Sequence, residues 1–274
     1  MMRNWFNPSR TARLGRRGRR RRWIAVAGLG LAIAAAFLVR RREASGAGSG
    51  VLDAEAVRGL YDRVAPVYDV LSCPYRLIDG RRLVRRGIRD LELRPGDTVV
   101  DLGTGTGWAL PRLADAVGPS GRVIGVDISL GMLERARRRV KGRDNINLVH
   151  ADIADYHLPR GTRGVLAAFA IEMLPDYDAV IARLVRELPA EASIAVTGLR
   201  DPDRWPEWLV RLGSALNRPF GVSNAYRNHR PWESVARRAA RATYVEALGG
   251  AIYLAVGGSS EKAAGTPSWP SHTL

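Results

Sequence analysis

DTVVDLGTGTG, Asp97 to Gly107, runs a short strand-like segment directly into a glycine-rich turn. Glycine at 103, 105 and 107 lets the backbone turn sharply and lets a ligand approach without meeting a Cβ. A second strand-like run, Arg122 to Val126, closes on another acid, Asp127, 20 residues past Gly107. Strand, glycine turn, helix, strand and acid in that order place a nucleotide-like ligand at the C-terminal edge of a parallel sheet. The competing reading is a strand-to-helix turn whose acids only cap helices, and Ser129, ahead of LGMLERARRRV, is an N-cap candidate that fits it.

The alternation continues on both sides of this stretch. Strands near 97–102, 122–127, 146–150, 164–170 and 192–198 are separated by helices at 107–117, 129–141 and Asp176 to Leu188, which predicts a parallel sheet covered on both faces. ATYVEALGGAIYLAVG near the end reads as two strands joined by a two-residue turn at Gly249 and Gly250. Val51 to Asp90 reads as helical, broken near Ser72, Cys73 and Pro74, and lying over the ligand. The expected fold is therefore α/β and Rossmann-like: a seven-stranded, mostly parallel sheet with an antiparallel C-terminal hairpin, preceded by an N-terminal membrane helix. Residues 201–233 read as a cap insertion rich in aromatics (Trp205, Trp208, Phe220, Tyr226, Trp232), which either pack it on the sheet or line an apolar acceptor pocket.

The residues also narrow the ligand. A dinucleotide fingerprint needs Gly or Ala three positions after Gly105, where this chain has Trp108, and no GxxxxGK[ST] occurs anywhere. Asp101, just before the loop, would oppose a pyrophosphate but complements an ammonium and a sulfonium, the two charges of S-adenosylmethionine.

Asp101 to Val140 resembles the cofactor half of class I S-adenosylmethionine-dependent methyltransferases. YDRVAPVYD, Tyr61 to Asp69, resembles the segment preceding that core in the ubiquinone/menaquinone C-methyltransferases and the bacterial phosphatidylethanolamine N-methyltransferases. The resemblance implies that Asp101, Gly103, Gly105 and Gly107 surround the methionine and ribose, and that Asp127 takes the ribose hydroxyls. It further implies that Ile128 packs on the adenine, that Asp152 and Ile153 border its amino group, and that Tyr61 and Tyr68 close over the methionine end. The chain departs from the family pattern at Gly164, where an Asp often opens the fourth strand, and at Pro189, Ala190 and Glu191, where a Gly-Gly often precedes the fifth.

Composition bounds the rest. The 274 residues suffice for one substantial domain plus an appendage. One cysteine, Cys73, excludes an intrachain disulfide, and four histidines without ligand spacing predict no metal site. The net charge of +16 is concentrated in residues 1–50, which hold twelve Arg against Glu43. The basicity thus belongs mainly to the arm, and no nucleic-acid partner is expected for the body.

WIAVAGLGLAIAAAFLV, Trp23 to Val39, is uncharged and flanked by arginines. As a helix it would span about 26 Å, slightly less than a hydrocarbon core. It reads as a transmembrane or interfacial anchor, with a secretory signal as the rival that Arg40, Arg41 and Arg42 argue against. Gly28, Ala32 and Ala36 recur every fourth residue, a face that suits helix pairing and leaves a homo-oligomer open. Charge counting favours an inside N-terminus and so an exported domain. A cytosolic cofactor favours the opposite, and a helix lying in the interface removes the conflict, so the catalytic domain is expected on the cytoplasmic face. The expected organisation is a basic arm (1–22), the anchor (23–39), a flexible linker (40–50), a methyltransferase domain (51–258) and a disordered tail (259–274).

Methyl transfer to an amine or phenol also releases a proton. Glu172, just past the fourth strand in AFAIEMLPD, is the first candidate base, followed by Tyr226 and His229. The expected activity is methyl transfer to a lipid-phase acceptor at a membrane lipid surface, a phospholipid amine or a quinone precursor. AFAIEMLPD resembles the corresponding stretch of the phospholipid enzymes and favours the amine. Alternatives are a methyltransferase of a small soluble metabolite and an inactive membrane-bound scaffold of the same fold.

Overall fold

The computed structural model describes residues 53–72, 80–202, 205–208, 210 and 229–258. The expected arm, anchor, linker and tail, together with Cys73, Phe220 and Tyr226, lie outside the described residues. Among the described residues no helix is long and apolar enough to cross a membrane.

The chain begins with α1 (Ala54–Val64), a 3-10 turn (Ala65–Val67), α2 (Tyr68–Leu71) and α3 (Gly80–Asp90). It then alternates through β1 (Thr98–Leu102), α4 (Leu110–Val117), β2 (Arg122–Asp127), α5 (Leu130–Arg139) and β3 (Ile146–His150). β4 (Thr162–Ala168), α6 (Tyr177–Glu187), β5 (Ser193–Leu199), α7 (Pro231–Arg238), β6 (Arg241–Ala247) and β7 (Ile252–Gly258) complete it.

Seven strands form one sheet in the order β3-β2-β1-β4-β5-β7-β6, with β7 antiparallel to both of its neighbours. β2 and β3 extend the sheet on one side of β1, and β4 and β5 on the other. The order therefore reverses between β1 and β4, and connections leaving their C-terminal ends diverge to leave a crevice. Val99, Val100, Leu102, Val123, Val126, Val165 and Leu166 are all fully buried, because helices cover both faces of these central strands. Leu83, Val84 and Ile88 of α3 join Leu110, Leu113 and Val117 of α4 and Ala136 of α5 in one core layer. Val180, Ile181 and Leu184 of α6 join Val235 of α7 in the other.

Local signals in the chain set the helix ends. Ser129 caps α5, its Oγ accepting from the Met132 amide at 3.1 Å, and Asp53 caps α1 through the Ala56 amide at 2.8 Å. Gly87 lets α3 approach the sheet, since a Cβ there would lie 3.1 Å from Leu254.

Three expectations need correction. β4 begins and ends two residues earlier than the pattern at 164–170 suggests, because the chain leaves the sheet at Phe169, whose φ is +57°, and winds into a 3-10 turn at Ile171–Met173. The β6–β7 connection has four residues, 248–251, since Ala247 and Ile252 are the last pair. Leu248, Gly249 and Gly250 all take positive φ there, as a 3-10 turn and not a two-residue hairpin. The expected cap also ends sooner: Pro231, Trp232 and Glu233 open α7, and Trp232 packs edge-on against Tyr253 at 4.9 Å.

Candidate cofactor and acceptor site

A cavity of about 330 Å³ occupies the crevice at the C-terminal ends of β1, β2 and β4. Its floor is Gly103, Gly105, Asp127 and Ile128, one side is Asp152 and Ile153, and Tyr61 and Tyr68 lie over it from α1 and α2. Eight of the ten cofactor residues expected from the sequence are thus brought together. Asp101 and Gly107 are not on the wall.

The glycines of the loop do different physical work. A Cβ on Gly103 would lie 2.3 Å from the Ala170 Cβ, so this position lets the β1 loop and the chain after β4 touch. A Cβ on Gly105 would meet nothing within 4 Å, but the residue holds φ +54° and faces the cavity. Gly107 packs on Ala136 of α5, 2.9 Å from where its Cβ would be, and serves loop-to-helix contact.

Beneath this loop lie the two acids. Asp101, 2% exposed, accepts from Thr104 Oγ1 at 2.6 Å. Burial raises its pKa to about 7, against the lowering effect of the Thr104 hydroxyl, and Asp127 pushes it the same way as burial. Asp127 accepts from the Gly105 amide at 2.7 Å and the Ser129 amide at 2.9 Å. Burial lifts it to about 6, with those two amides opposing the shift.

Two details were missed in the sequence. The first is that both aspartates of YDRVAPVYD are fasteners. Asp62 accepts from Ser129 Oγ at 2.5 Å and the Gly131 amide at 3.1 Å. Asp69 accepts from Thr106 Oγ1 at 2.8 Å and pairs with Arg139 at 2.6 Å, while Arg139 also donates to the Thr106 carbonyl at 2.6 Å. The segment carrying Tyr61 and Tyr68 is thereby tied to the glycine loop and to α5. A signal was present, since each tyrosine is followed by an aspartate. The second detail is Arg183 of α6, which donates to the Ile153 carbonyl at 2.8 Å and the Tyr156 carbonyl at 3.2 Å and holds the loop after β3. Within that loop Asp152 Oδ1 accepts from the Ala154 amide at 2.8 Å.

Of the candidate bases, Glu172 and His229 stand apart from the cavity. Glu172 turns away toward β5, where a Cβ on Gly198 would lie 2.5 Å from its Oε1. Its Oε1 accepts from the Leu199 amide at 3.3 Å, Oε2 is buried without a hydrogen-bond partner, and burial raises the pKa to about 7. His229 places Nδ1 3.0 Å from the Glu172 carbonyl oxygen and packs on Tyr177 at 4.7 Å. Neither lines the cavity, and Tyr226 lies outside the described residues. The far wall is instead Phe169, Met173, Leu174 and Pro175.

Charge tests which cofactor fits. Asp53, Asp127, Asp152 and Asp176 line the cavity, and no Lys, Arg or His is among its described lining residues. A pyrophosphate would meet only like charge there, whereas an ammonium and a sulfonium would be stabilised. S-Adenosylmethionine fits this charge pattern, and Asp127, Asp152, Gly103, Gly105, Tyr61 and Tyr68 are the lining residues that would hold it.

Comparisons with known proteins agree. A family described as "Methyltransferase domain" matches residues 99–190. The chain is 31% identical over 164 residues to the nocamycin O-methyltransferase of Saccharothrix syringae, covering 58% of this chain and 57% of that protein. It is 31% identical over 160 residues to the 2-phytyl-1,4-naphtoquinone methyltransferase of Synechococcus elongatus, covering 56% of this chain and 67% of that protein. Among solved structures, the DhpI–SAH complex superimposes with a TM-score of 0.52 at 18% identity, over 77% of this chain and 97% of that one, a likeness of fold. Three of the curated relatives are spanned over 57%, 66% and 65% of their lengths. The glycine loop, the acid ending β2 and these relatives place the chain in the S-adenosylmethionine-dependent methyltransferase family.

Proposed function

We propose that the protein transfers the methyl group of S-adenosylmethionine to an uncharged, lipid-phase acceptor of the quinone-precursor type, as a membrane-associated enzyme with its catalytic domain on the cytoplasmic face. The observation that carries the acceptor class is the apolar lining of Phe169, Met173, Leu174 and Pro175, with no cationic residue among the described lining residues to hold a phosphate. A phospholipid amine would bring its phosphodiester beside Asp53 and Asp176, which disfavours the amine that the AFAIEMLPD stretch suggested. The similarity to a phytyl-naphthoquinone methyltransferase supports the same choice. Membrane association rests on the uncharged, arginine-flanked segment Trp23 to Val39.

The bound cofactor supplies an electrophilic methyl on a sulfonium. The protein's part is placement and exclusion of water. Asp127 and the Gly105 backbone fix one end of the cavity, and the Asp62 and Asp69 fasteners keep Tyr61 and Tyr68 closed over it. No Lys or His is among the described lining residues and the titratable side chains there are aspartates and tyrosines, so an uncharged, electron-rich ring that needs no prior deprotonation is the expected acceptor.

Purified full-chain protein, titrated with S-adenosylmethionine and then supplied with radiolabelled cofactor and either a prenylated naphthoquinol or phosphatidylethanolamine, tests this. Label in the quinol product, lost in Asp127→Ala, is the expected result. Label only in phosphatidylethanolamine, or cofactor binding without transfer to either, would overturn the acceptor assignment.

A further inference from the structure

The helices of the two faces differ sharply in charge. α3, α4 and α5 together carry ten arginines (Arg81, Arg82, Arg85, Arg86 and Arg89 on α3 alone) against three acids, Asp90, Asp115 and Glu134. α6 and α7 on the opposite face carry four arginines against Asp178, Glu187 and Glu233. Among these helices, the basic residues are therefore gathered mainly on one of the two faces.

Packing leaves this charge outward. On α3 the apolar positions Leu83, Val84, Gly87 and Ile88 turn to the sheet, and Arg82, Arg85, Arg86 and Arg89 are exposed between them. At the edge nearest the cavity, Arg81 and Arg112 both lie over the Trp108 ring, 5.1 and 4.5 Å from its centroid, three residues past the cavity-lining Gly105. Burial lowers the pKa of Arg112, and the neighbouring Arg85 pushes it the same way against the opposing Asp115, so like charges sit close together here. Arg137 and Arg138 of α5 share the single carboxylate of Glu134.

An apolar edge adjoins this ridge. Four large hydrophobics are exposed among the described residues, and three of them, Val67, Val70 and Leu130, belong to the 65–71 segment and the start of α5. These elements are neighbours, since Asp62 at the end of α1 binds Ser129 and Gly131. Arginines beside exposed aliphatic side chains match an anionic headgroup layer over acyl chains.

We infer that the arginine face of α3, α4 and α5, with its Val67–Val70–Leu130 edge, docks on an anionic lipid bilayer and sets the orientation of the catalytic domain there. This rests on the membrane association proposed above and adds which face meets the lipid. The tether makes the geometry practicable: residues 40–50 reach at most about 40 Å when extended. A bilayer is favoured over RNA because the same chain carries the Trp23–Val39 segment and because aliphatic residues, not exposed aromatics, border the ridge.

Full-chain protein would be mixed with vesicles of phosphatidylcholine alone or of equal phosphatidylcholine and phosphatidylglycerol, floated, and footprinted with an arginine-selective dicarbonyl read by mass spectrometry. Modification of Arg85 and Arg89 is expected to be about fivefold lower on the anionic vesicles than on the neutral ones, with Arg186 and Arg237 on the opposite face unchanged. Full-chain Arg85→Gln/Arg89→Gln/Arg138→Gln is expected to float with both vesicles, anchored by residues 23–39, while the footprint difference at Arg81 and Arg112 disappears. Failure of the wild type to float with either vesicle would overturn the membrane reading and this inference with it. Flotation with Arg85 and Arg89 equally modified on both vesicles would overturn the inference alone, as would stronger protection by a single-stranded RNA homopolymer than by anionic vesicles.

Discussion

Asp127 Oδ2 accepts a hydrogen bond from the Gly105 amide at 2.7 Å, across 22 residues of sequence, so the acid ending β2 shapes the very loop that ends β1. The same carboxylate holds Ser129 through its other oxygen at 2.9 Å. Asp127→Ala removes both acceptors at once. It is expected to cost about 1–3 kcal/mol of stability from the stranded amides and to abolish cofactor binding. Asp127→Asn keeps one acceptor and should fold nearly normally while binding at least about tenfold more weakly, since the charge is gone. Thermal unfolding with calorimetric titration of both variants separates the two effects.

The raised pKa values of Asp101 and Asp127 give opposite pH trends for stability and affinity. Both acids bind protons more tightly folded than unfolded, so from about pH 4 the stability of the cofactor-free protein falls as pH rises, levelling off once pH passes about 7. A cationic cofactor prefers both acids ionised, so its affinity should climb between about pH 5 and pH 8. Melting curves and titrations over that range would show the two trends crossing. Affinity that falls as pH rises would contradict the assignment.

Glu172 is buried with one oxygen unpartnered, so its ionised form is destabilising. Glu172→Gln should stabilise the protein at pH 8, by on the order of 1–3 kcal/mol, and have much less effect at pH 5, where the acid is already protonated. Methyl transfer should persist. A loss of turnover without loss of stability would restore Glu172 as a catalytic residue.

Gly103 and Gly105 offer a contrast inside one loop. Gly103→Ala meets Ala170 at 2.3 Å and should cost about 2–4 kcal/mol, seen as a lowered Tm. Gly105→Ala has open space and carries only the backbone cost of its φ, about 1 kcal/mol, yet its methyl would intrude on the cavity that Gly105 lines. Near-normal melting with weakened binding is the expected signature.

Asp69→Asn should loosen the strap over the cavity. The pair with Arg139 is partly exposed, its side chains 26% and 28% accessible, so global stability should change by about 1 kcal/mol or less. Cofactor affinity should fall about three- to tenfold, and limited proteolysis should quicken within residues 53–72.

Much of the fold was legible because β2 and β3 obey simple rules: short aliphatic runs, buried in β2 and half-buried in β3, bounded by Gly118, Ser129 and Asn145, match the observed strands 122–127 and 146–150. The glycine loop and its partner acid were legible for the same reason, since order along the chain is order around a βαβ unit. What failed was direction. That Glu172 follows a strand says nothing of whether a 3-10 turn aims it into the crevice or, as found, toward Gly198. For the strap the aspartates after Tyr61 and Tyr68 were visible but their partners were not: Asp69 finds them 37 and 70 residues away, a separation that no local pattern encodes.

β7 is threaded between β5 and β6 and is buried along nearly its whole length, so the last of the described strands in chain order is an interior one. Until residue 258 emerges, β5 has a bare edge and β6 has nowhere to pair. The nascent chain must therefore wait with an open sheet exposed to other chains until residues 252–258 close it in one step.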